Sequence, residues 1–556
     1  MTAVRRLTMI LCLFAVSLSA QTGSKPQARP SGTVPTNITA DRDANSTRAL
    51  RLSLEQAIGN AVTKNLGVEL QHYDYRMSGQ DLRAQYGPFD FFTTADILRV
   101  SDENPVTSPF FTSAGNSTVF NFGLNQLLAT GGTYRVGFNN SRSESVGGGT
   151  FVNPAYRSNL GFEFNQPLLR NFGVDTTRRG INIARNTLGI NREAFRNVLI
   201  NTAVSVEQSY LDLVFARQFL EVAKESLFLA QDQSRITQIR IDVGASAPLD
   251  ILQPRVAVAT REEELITAQA LVRDAEDRLR QLMNLDMTEW DRPIIPTDSV
   301  GYQPLDVDTD AAVARALEAR PEIRQLKLGT QSREIIHRYA RNQTLPKLDL
   351  VASYGAAGLG GRSAEIDPVT GQPTGRIATT DYPEAVSQVF GNDFPSWTFG
   401  FSVGVPVTNV GARAEARRAE LDLRKAETDE KSLRQIITVD VRKGIRDVDT
   451  ASKQITATRA ARDAAEKNLD AERKRFENGM TTNFNVLQIQ QQLSDARSRE
   501  LQAVVFYNKA LANYHRAVGD LLDQRGIVVD VEEFESPGSR FEDVRWLNYG
   551  NYARTK

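Results

Sequence analysis

The chain has 556 residues, 41% of them apolar, with 66 basic side chains set against 67 acidic ones and a single cysteine. Near-neutral charge excludes the broad basic face that binding to nucleic acid needs, and one cysteine excludes a disulfide framework. The length exceeds what one ordinary core fills, and the modest apolar share fits a shape with much surface per residue.

The N-terminus carries Arg5 and Arg6, an apolar run from Leu7 to Leu18, and then small residues Ser19 and Ala20. This is the layout of a secretory signal over 1–20, since a run of about 12 residues falls short of the ~20 that span a bilayer. Cys12 lies inside that run, so the exported chain is expected to carry no thiol. Residues 21–50 are rich in Pro, Ser, Thr and Gly and read as a flexible leader. No later stretch is apolar for long enough to be a membrane helix, so an exported chain stays soluble or crosses a membrane as β-strands.

A first repeat is expected over 51–308. Helical spacing begins at Leu52 and runs to Gln85, after which the period drops to two. In "TVFNFGLNQ", "TYRVGF" and "NLGFEFNQ" apolar residues such as Phe122, Val136 and Phe162 alternate with Asn, Gly, Arg and Glu. With "FDFFTTADILRV" these make four strand-like pieces within 89–168. They are long strands bent at "LLATGGT" or an added hairpin, so the first repeat contributes two or four membrane strands. One helix is expected over 176–241, about 100 Å at 1.5 Å per residue, and another over 249–283.

The order then repeats over 309–522. A helical pair spans 309–342, and strands fall within 345–407 at "LPKLDLVASYG" and "SWTFGFSVGVPV", separated by a loop of about 40 residues. Long helices come next over 411–478 and 482–522, and a mixed tail occupies 523–556. Landmarks pair across the halves at nearly constant offset: Phe162 with Phe401, Pro167 with Pro406, Arg178-Arg179 with Arg417-Arg418, Gly244 with Gly479, Leu252-Gln253 with Leu487-Gln488. The long helices are densely charged, with a narrow coiled-coil seam at Ile437, Val441, Ile445, Val448, Ala451 and Ile455 that continues through alanines 457, 460, 461, 464 and 465. Each half has too few strands to close a barrel, which needs about eight, so several copies would have to pool them.

This duplicated order, with "QPLLRNFG" before the first long helix and Gly-bearing turns before "DILQ" and "NVLQ", resembles the outer membrane efflux protein (TolC-type) family from about Leu52 to Leu522. The resemblance implies an α+β membrane protein: a trimeric outer-membrane β-barrel continued by a long periplasmic α-helical coiled-coil barrel, with internal duplication. It implies a homotrimer in the outer membrane of a Gram-negative-type cell, in contact with outer-membrane lipid and extending into the periplasm. There it would be the passive channel of a tripartite efflux or type I secretion system, with a periplasmic adaptor protein and an inner-membrane pump as partners.

By the same resemblance, Gly244 and Gly479 mark turns at the far periplasmic entrance, where the adaptor docks, with Leu252 and Leu487 nearby. Asp250 matches an aspartate that locks the closed end in some members. The partner positions here hold Phe476 and Thr481, however, and the positions of an acidic lumenal ring hold Asn485 and Gln488. A weakly cation-selective entrance is therefore expected.

Catalytic chemistry is not expected. His72, His337 and His515 lie far apart without metal-ligand spacing. "LDLVASYGAAGLGG" imitates a strand and phosphate loop but opens no helix, so an extracellular barrel loop is the reading there. No cofactor, metal, catalytic residue or nucleic-acid partner is assigned. The alternatives are a periplasmic coiled-coil adaptor, which would carry one hairpin, and an outer-membrane barrel enzyme, which would need a Ser/His pairing.

Overall fold

The computed structural model describes residues 49–103, 105, 112–147, 151–298, 300–366, 369 and 373–527. The expected signal, the leader up to residue 48 and the tail beyond residue 527 lie outside the described residues. Strand β1 (Leu50–Leu52) leads into α1 (Leu54–Lys64) and α2 (Leu66–Ala84). Four strands come next: β2 (Phe92–Glu103), β3 (Thr112–Leu127), β4 (Thr133–Gly147) and β5 (Val152–Pro167). A one-turn helix α3 (Val174–Thr177) precedes α4 (Arg179–Asp242), a tight turn, and α5 (Leu252–Met283). The second half opens on β6 (Ile294–Pro296), α6 (Thr309–Ala319) and α7 (Pro321–Gln343). It continues with β7 (Lys347–Ile366), β8 (Pro373–Thr379), α8 (Tyr382–Gly391) and β9 (Phe394–Gly404). Helices α9 (Val410–Glu477), α10 (Asn483–Val518) and α11 (Leu521–Gln524) end it. Helix and strands thus succeed each other in the same order twice.

Local chemistry sets the short helices. Ser53 and Gln56 form a reciprocal capping box at the start of α1. Asn65 ends α1 and accepts from the Gly67 and Val68 amides to start α2. Pro321 stands at the first turn of α7, where its missing N–H is harmless.

The helices pack around two apolar seams. In the first, Leu199, Ala203, Val206, Tyr210 and Leu213 of α4 meet Ile58 and Ala61 of α1 and Leu279 and Met283 of α5. In the second, Ile437, Val441, Val448, Ala451 and Ile455 of α9 meet Tyr507, Ala510 and Tyr514 of α10. Of the expected continuation of that seam through alanines, only Ala465 is partly buried within the chain. Ala457, Ala460, Ala461 and Ala464 are not buried within the chain, because they lie on the side of α9 turned away from α10. Here the two helices are joined instead by ions, with Arg459 and Arg462 at 3.3 and 3.0 Å from Glu500.

All strands of the large sheet are antiparallel, in the order β2-β3-β4-β5-β7, with β9 on the lower part of β7 and β8 on its upper part. The first half therefore supplies four strands. The expected 40-residue loop of the second half is corrected: it holds the upper half of β7, all of β8 and α8. Glycines in "GAAGLGG" hide the strand period, yet their backbone pairs with β5 up to Gly361 and Ser363. Register separates two faces. One row runs Thr93, Leu124, Val136, Phe162, Tyr354, Trp397, and the next row on that face runs Ala95, Phe122, Phe138, Leu160, Ala356, Pro395. The opposite face carries the row Asn125, Arg135, Glu163, Ser353, Thr398, and beside it an almost unbroken glycine row, Gly123, Gly137, Gly161, Gly355.

Polar side chains fasten sheet to helices. Asn171 N donates to Asn342 Oδ1 at 2.7 Å, Arg170 Nε to Gln343 Oε1 at 2.9 Å, and Asn409 Nδ2 to the Thr344 carbonyl at 2.8 Å. Arg179 lies 3.4 Å over the Tyr339 ring, whereas Arg417 is largely exposed and pairs with Glu420.

The segment after α10 closes the helical layer. Leu521 and Leu522 are fully buried in the first seam, and Arg525 donates to the buried Glu207. Burial raises the Glu207 carboxyl above the usual glutamate range, and Arg525 opposes that rise. A carboxyl raised in the folded state stabilises the fold below its unfolded value and loses that contribution as pH rises through the folded one. Arg525→Ala strips the counter-charge from a buried carboxylate, worth about 3 kcal/mol at neutral pH. The purified protein should then melt lower, with a larger loss at about pH 7.5 than at about pH 4.5, where Glu207 takes up a proton. An equal loss at both pH values in thermal melts would contradict this pairing.

Candidate functional site at the paired helix tips

Two turns end the long helices, and they are built alike. Gly244 and Gly479 both have φ of +74°. At the first, Ala245 N donates to Arg240 O at 2.7 Å and Gly244 N to Ile241 O at 2.9 Å. At the second, Met480 N donates to Arg475 O at 2.9 Å and Gly479 N to Phe476 O at 3.1 Å. These are the paired 6→1 and 5→2 bonds of a Schellman cap, which needs a left-handed residue. A Cβ placed on either glycine would meet nothing within 4 Å. Backbone conformation, not crowding within the chain, selects glycine at both.

Beyond the glycines the two turns diverge. After Gly244, Pro248–Ile251 forms a short 3-10 turn into α5, and Asp250 Oδ2 accepts from its own Ala247 amide at 3.1 Å. After Gly479, Thr481 Oγ1 donates to buried Glu472 at 2.5 Å, Arg475 pairs with the same carboxylate at 3.1 Å, and Asn485 Nδ2 donates to Thr481 Oγ1 at 3.0 Å. The aspartate matched by resemblance thus caps its own turn, while Phe476 and Thr481 make other contacts.

The two tips are tied by a residue that the sequence pattern did not single out. Arg240 of α4 donates from Nη2 to the Phe476 carbonyl at 3.0 Å, and its guanidinium lies 4.1 Å over the Phe476 ring. Phe476 is thereby buried. One helical stretch away, Gln233 Nε2 donates to Asn483 Oδ1 at 2.7 Å. An arginine heads both turn sequences, four residues before the glycine, and that is the visible signal. Its partner lies 236 positions away, beyond any local pattern.

Around these contacts the tips expose apolar surface. Val243, Leu249, Leu252, Met480 and Phe484 are all more than half exposed. Leu249 and Phe484 hold equivalent places, since 484 − 249 equals the 235 between Gly244 and Gly479. Leu487 is half-buried, and Asn485 and Gln488 lie one helical turn apart, Asn485 exposed. Among the described residues no three His, Cys, Asp or Glu side chains gather as a metal site.

The chain matches the family model described as outer membrane efflux protein over residues 129–285 and 312–520. It is 23% identical over 375 residues to outer membrane efflux protein BepC of Brucella suis biovar 1, covering 66% of this chain and 74% of that protein. It is 23% identical over 341 residues to outer membrane protein TolC of Escherichia coli K12, covering 59% of this chain and 62% of TolC, so that match spans about three-fifths of the relative. In fold it is similar to the Campylobacter jejuni CmeC outer membrane channel, with a TM-score of 0.62 at 14% identity over 89% of this chain and 88% of that one. Its likeness to CusC has a TM-score of 0.60 at 15% identity, over 89% of this chain and 99% of that one. One family model thus takes in the strand-to-helix junction and both long helical hairpins, and the chain belongs to the outer membrane efflux protein family.

Proposed function

We propose that three copies of this chain assemble in the outer membrane of a Gram-negative-type cell into a passive export channel. One observation carries this reading: a sheet with one apolar, exposed face ends in two open edges directly above helices about 100 Å long. Phe122, Phe162, Trp397, Phe399 and Phe401 are exposed on that face. The upward β2 and the downward β9 are the edges of the lower wall, and antiparallel pairing of β9 in one copy with β2 in the next closes a ring. Six strands per copy give three times six, or eighteen. Barrels of 16–18 strands leave an aqueous channel. The polar row with Arg135 and Glu163 then faces water, and the alanines of 457–464 face a neighbouring copy.

The tips form the periplasmic entrance, and their exposed Leu249, Leu252, Met480 and Phe484 are the surface for a periplasmic adaptor. The adaptor in turn connects the channel to an inner-membrane pump, in an efflux or type I secretion system. Arg240 acts as a latch between the two tips of one copy. Asn485 and Gln488 leave the entrance without an acidic ring.

Extraction from outer membranes as a trimer, with channel activity in planar bilayers, is the expected result; a soluble periplasmic monomer would sink the proposal. Replacing Arg240 with Ala removes one charge-assisted bond and one cation–π contact, about 1–2 kcal/mol together. Single-channel recordings should then show the open fraction rise roughly 5–30-fold, and an unchanged open fraction would rule out the latch. In a salt gradient the wild-type reversal potential should lie near zero, and Asn485→Asp with Gln488→Glu should move it toward cation selectivity. Strong cation selectivity that ignores both positions would contradict the assigned entrance.

A further inference from the structure

Helix α8 lies on the apolar face of the sheet, the same face that carries Phe122, Phe162, Trp397 and Phe399. It is seated by absent side chains. A Cβ on Gly358 would come 1.9 Å from the Ala385 carbonyl oxygen, and one on Gly360 would come 2.6 Å from that of Asp381. Tyr382 donates to Asn140 Oδ1 at 2.9 Å, with its ring 5.3 Å from that of Phe120 and 6.4 Å from that of Tyr156. Phe120, Asn140, Ser158 and Gly358 form one row of the apolar face by register.

Two polar side chains in that row, Asn140 and Ser158, are each only 2% exposed, because α8 covers them. The helix also finishes an edge. Strand β9 pairs with β7 only up to Ala357, and above it the Leu359 amide donates to Gln388 Oε1 of α8 at 2.9 Å. Ala385 and Val389 point to the sheet and are buried, whereas Phe390 is 71% exposed and Glu384 and Ser387 are exposed.

We infer that α8 is an interfacial helix on the outer, lipid-facing wall of the barrel, and that its partner is the headgroup zone of the outer leaflet. The inference rests on the barrel reading proposed for the function. Depth agrees with it. Eight residues of β7 separate Leu350 from Gly358, about 26 Å of strand at 3.3 Å each and about 20 Å along the membrane normal at a tilt of 40°. An apolar band of ~25 Å starting at Leu350 therefore ends at the level of α8. Ten residues are too few to span a bilayer and enough to lie along one. The helix shields Asn140, Ser158 and a glycine-thinned wall from hydrocarbon, where uncovered polar groups are costly. Three copies would ring the barrel as a collar.

Spin labels report whether α8 meets lipid headgroups or open water. Single-cysteine variants Phe390→Cys and Ser387→Cys on α8, Phe399→Cys on the bare apolar face and Asn159→Cys on the polar face are reconstituted as trimers in phosphatidylcholine vesicles. Relaxation is measured with oxygen, with a soluble nickel complex, and with nickel-chelating lipid. Labels at 390 and 387 should be relaxed several-fold more by the lipid-borne nickel than the label at 159, and label 399 should respond most to oxygen. Labels at 390 and 387 that are open to soluble nickel and blind to lipid-borne nickel, with label 399 still open to oxygen, would place α8 in water clear of the headgroups and overturn the collar alone. A label at 399 without oxygen access would overturn the barrel and the collar together.

Discussion

Backbone hydrogen bonding at the edges of one sheet constrains everything else in this molecule. The outer edge of β2 and the outer edge of β9 have no strand partner among the described residues, and both strands expose apolar side chains. In lipid such groups must be paired, so the sheet is stable only as part of a closed wall. Six strands are too few to close alone, and an edge that fits the other edge of a second copy generates a ring. In the proposed channel, pooling strands between copies meets this requirement of strand count and polarity. In the same proposal, the exposed alanines of α9, which find no cover within the chain, would gain a neighbour once the wall above is closed.

The same chemical device serves opposite ends of the molecule. Glycine is used at the tips for its left-handed backbone, with φ of +74° at both Gly244 and Gly479, and on β7 for its missing side chain, where α8 would collide with any Cβ at Gly358. The duplicated hairpins share the cap and then diverge. The first tip secures itself with Asp250 on its own backbone, and the second gathers Glu472, Arg475, Thr481 and Asn485 into one network. Arg240 reaches across and makes the pair mechanically one unit. If the tips are the entrance, as proposed, its opening would amount to a change at a contact of a few polar atoms, small enough for a docking partner to shift.

Much of the fold is legible in the sequence because its periods are long and uninterrupted. The alternation around Phe122, Val136 and Phe162 and the seam from Ile437 to Ile455 each persist long enough to be read, and both sit on the surfaces where a period of two or of three-and-a-half puts them. The turns are legible because glycine at matching places in two copies is a backbone signal. Other features are not, for physical reasons. The run "GAAGLGG" has almost no side chains to alternate, so a paired strand resembles a loop. Asp250 resembles half of a cross-tip pair because sequence shows which carboxylate is present and not which amide is nearest. Arg240 and Phe476 meet only because α4 and α9 end at the same level, information that resides in the whole length of two helices.

Cross-linking across the joint between copies tests the trimeric wall most directly. A cysteine at Phe399 on β9 is combined, one at a time, with cysteines along 92–101 on β2, in protein expressed in its own outer membrane, and oxidised. A covalent ring of three chains, peaking at alternate β2 positions as a strand period of two requires, is the expected result. Cross-links confined within single chains, or none at any register in protein that still conducts, would contradict a wall closed between copies.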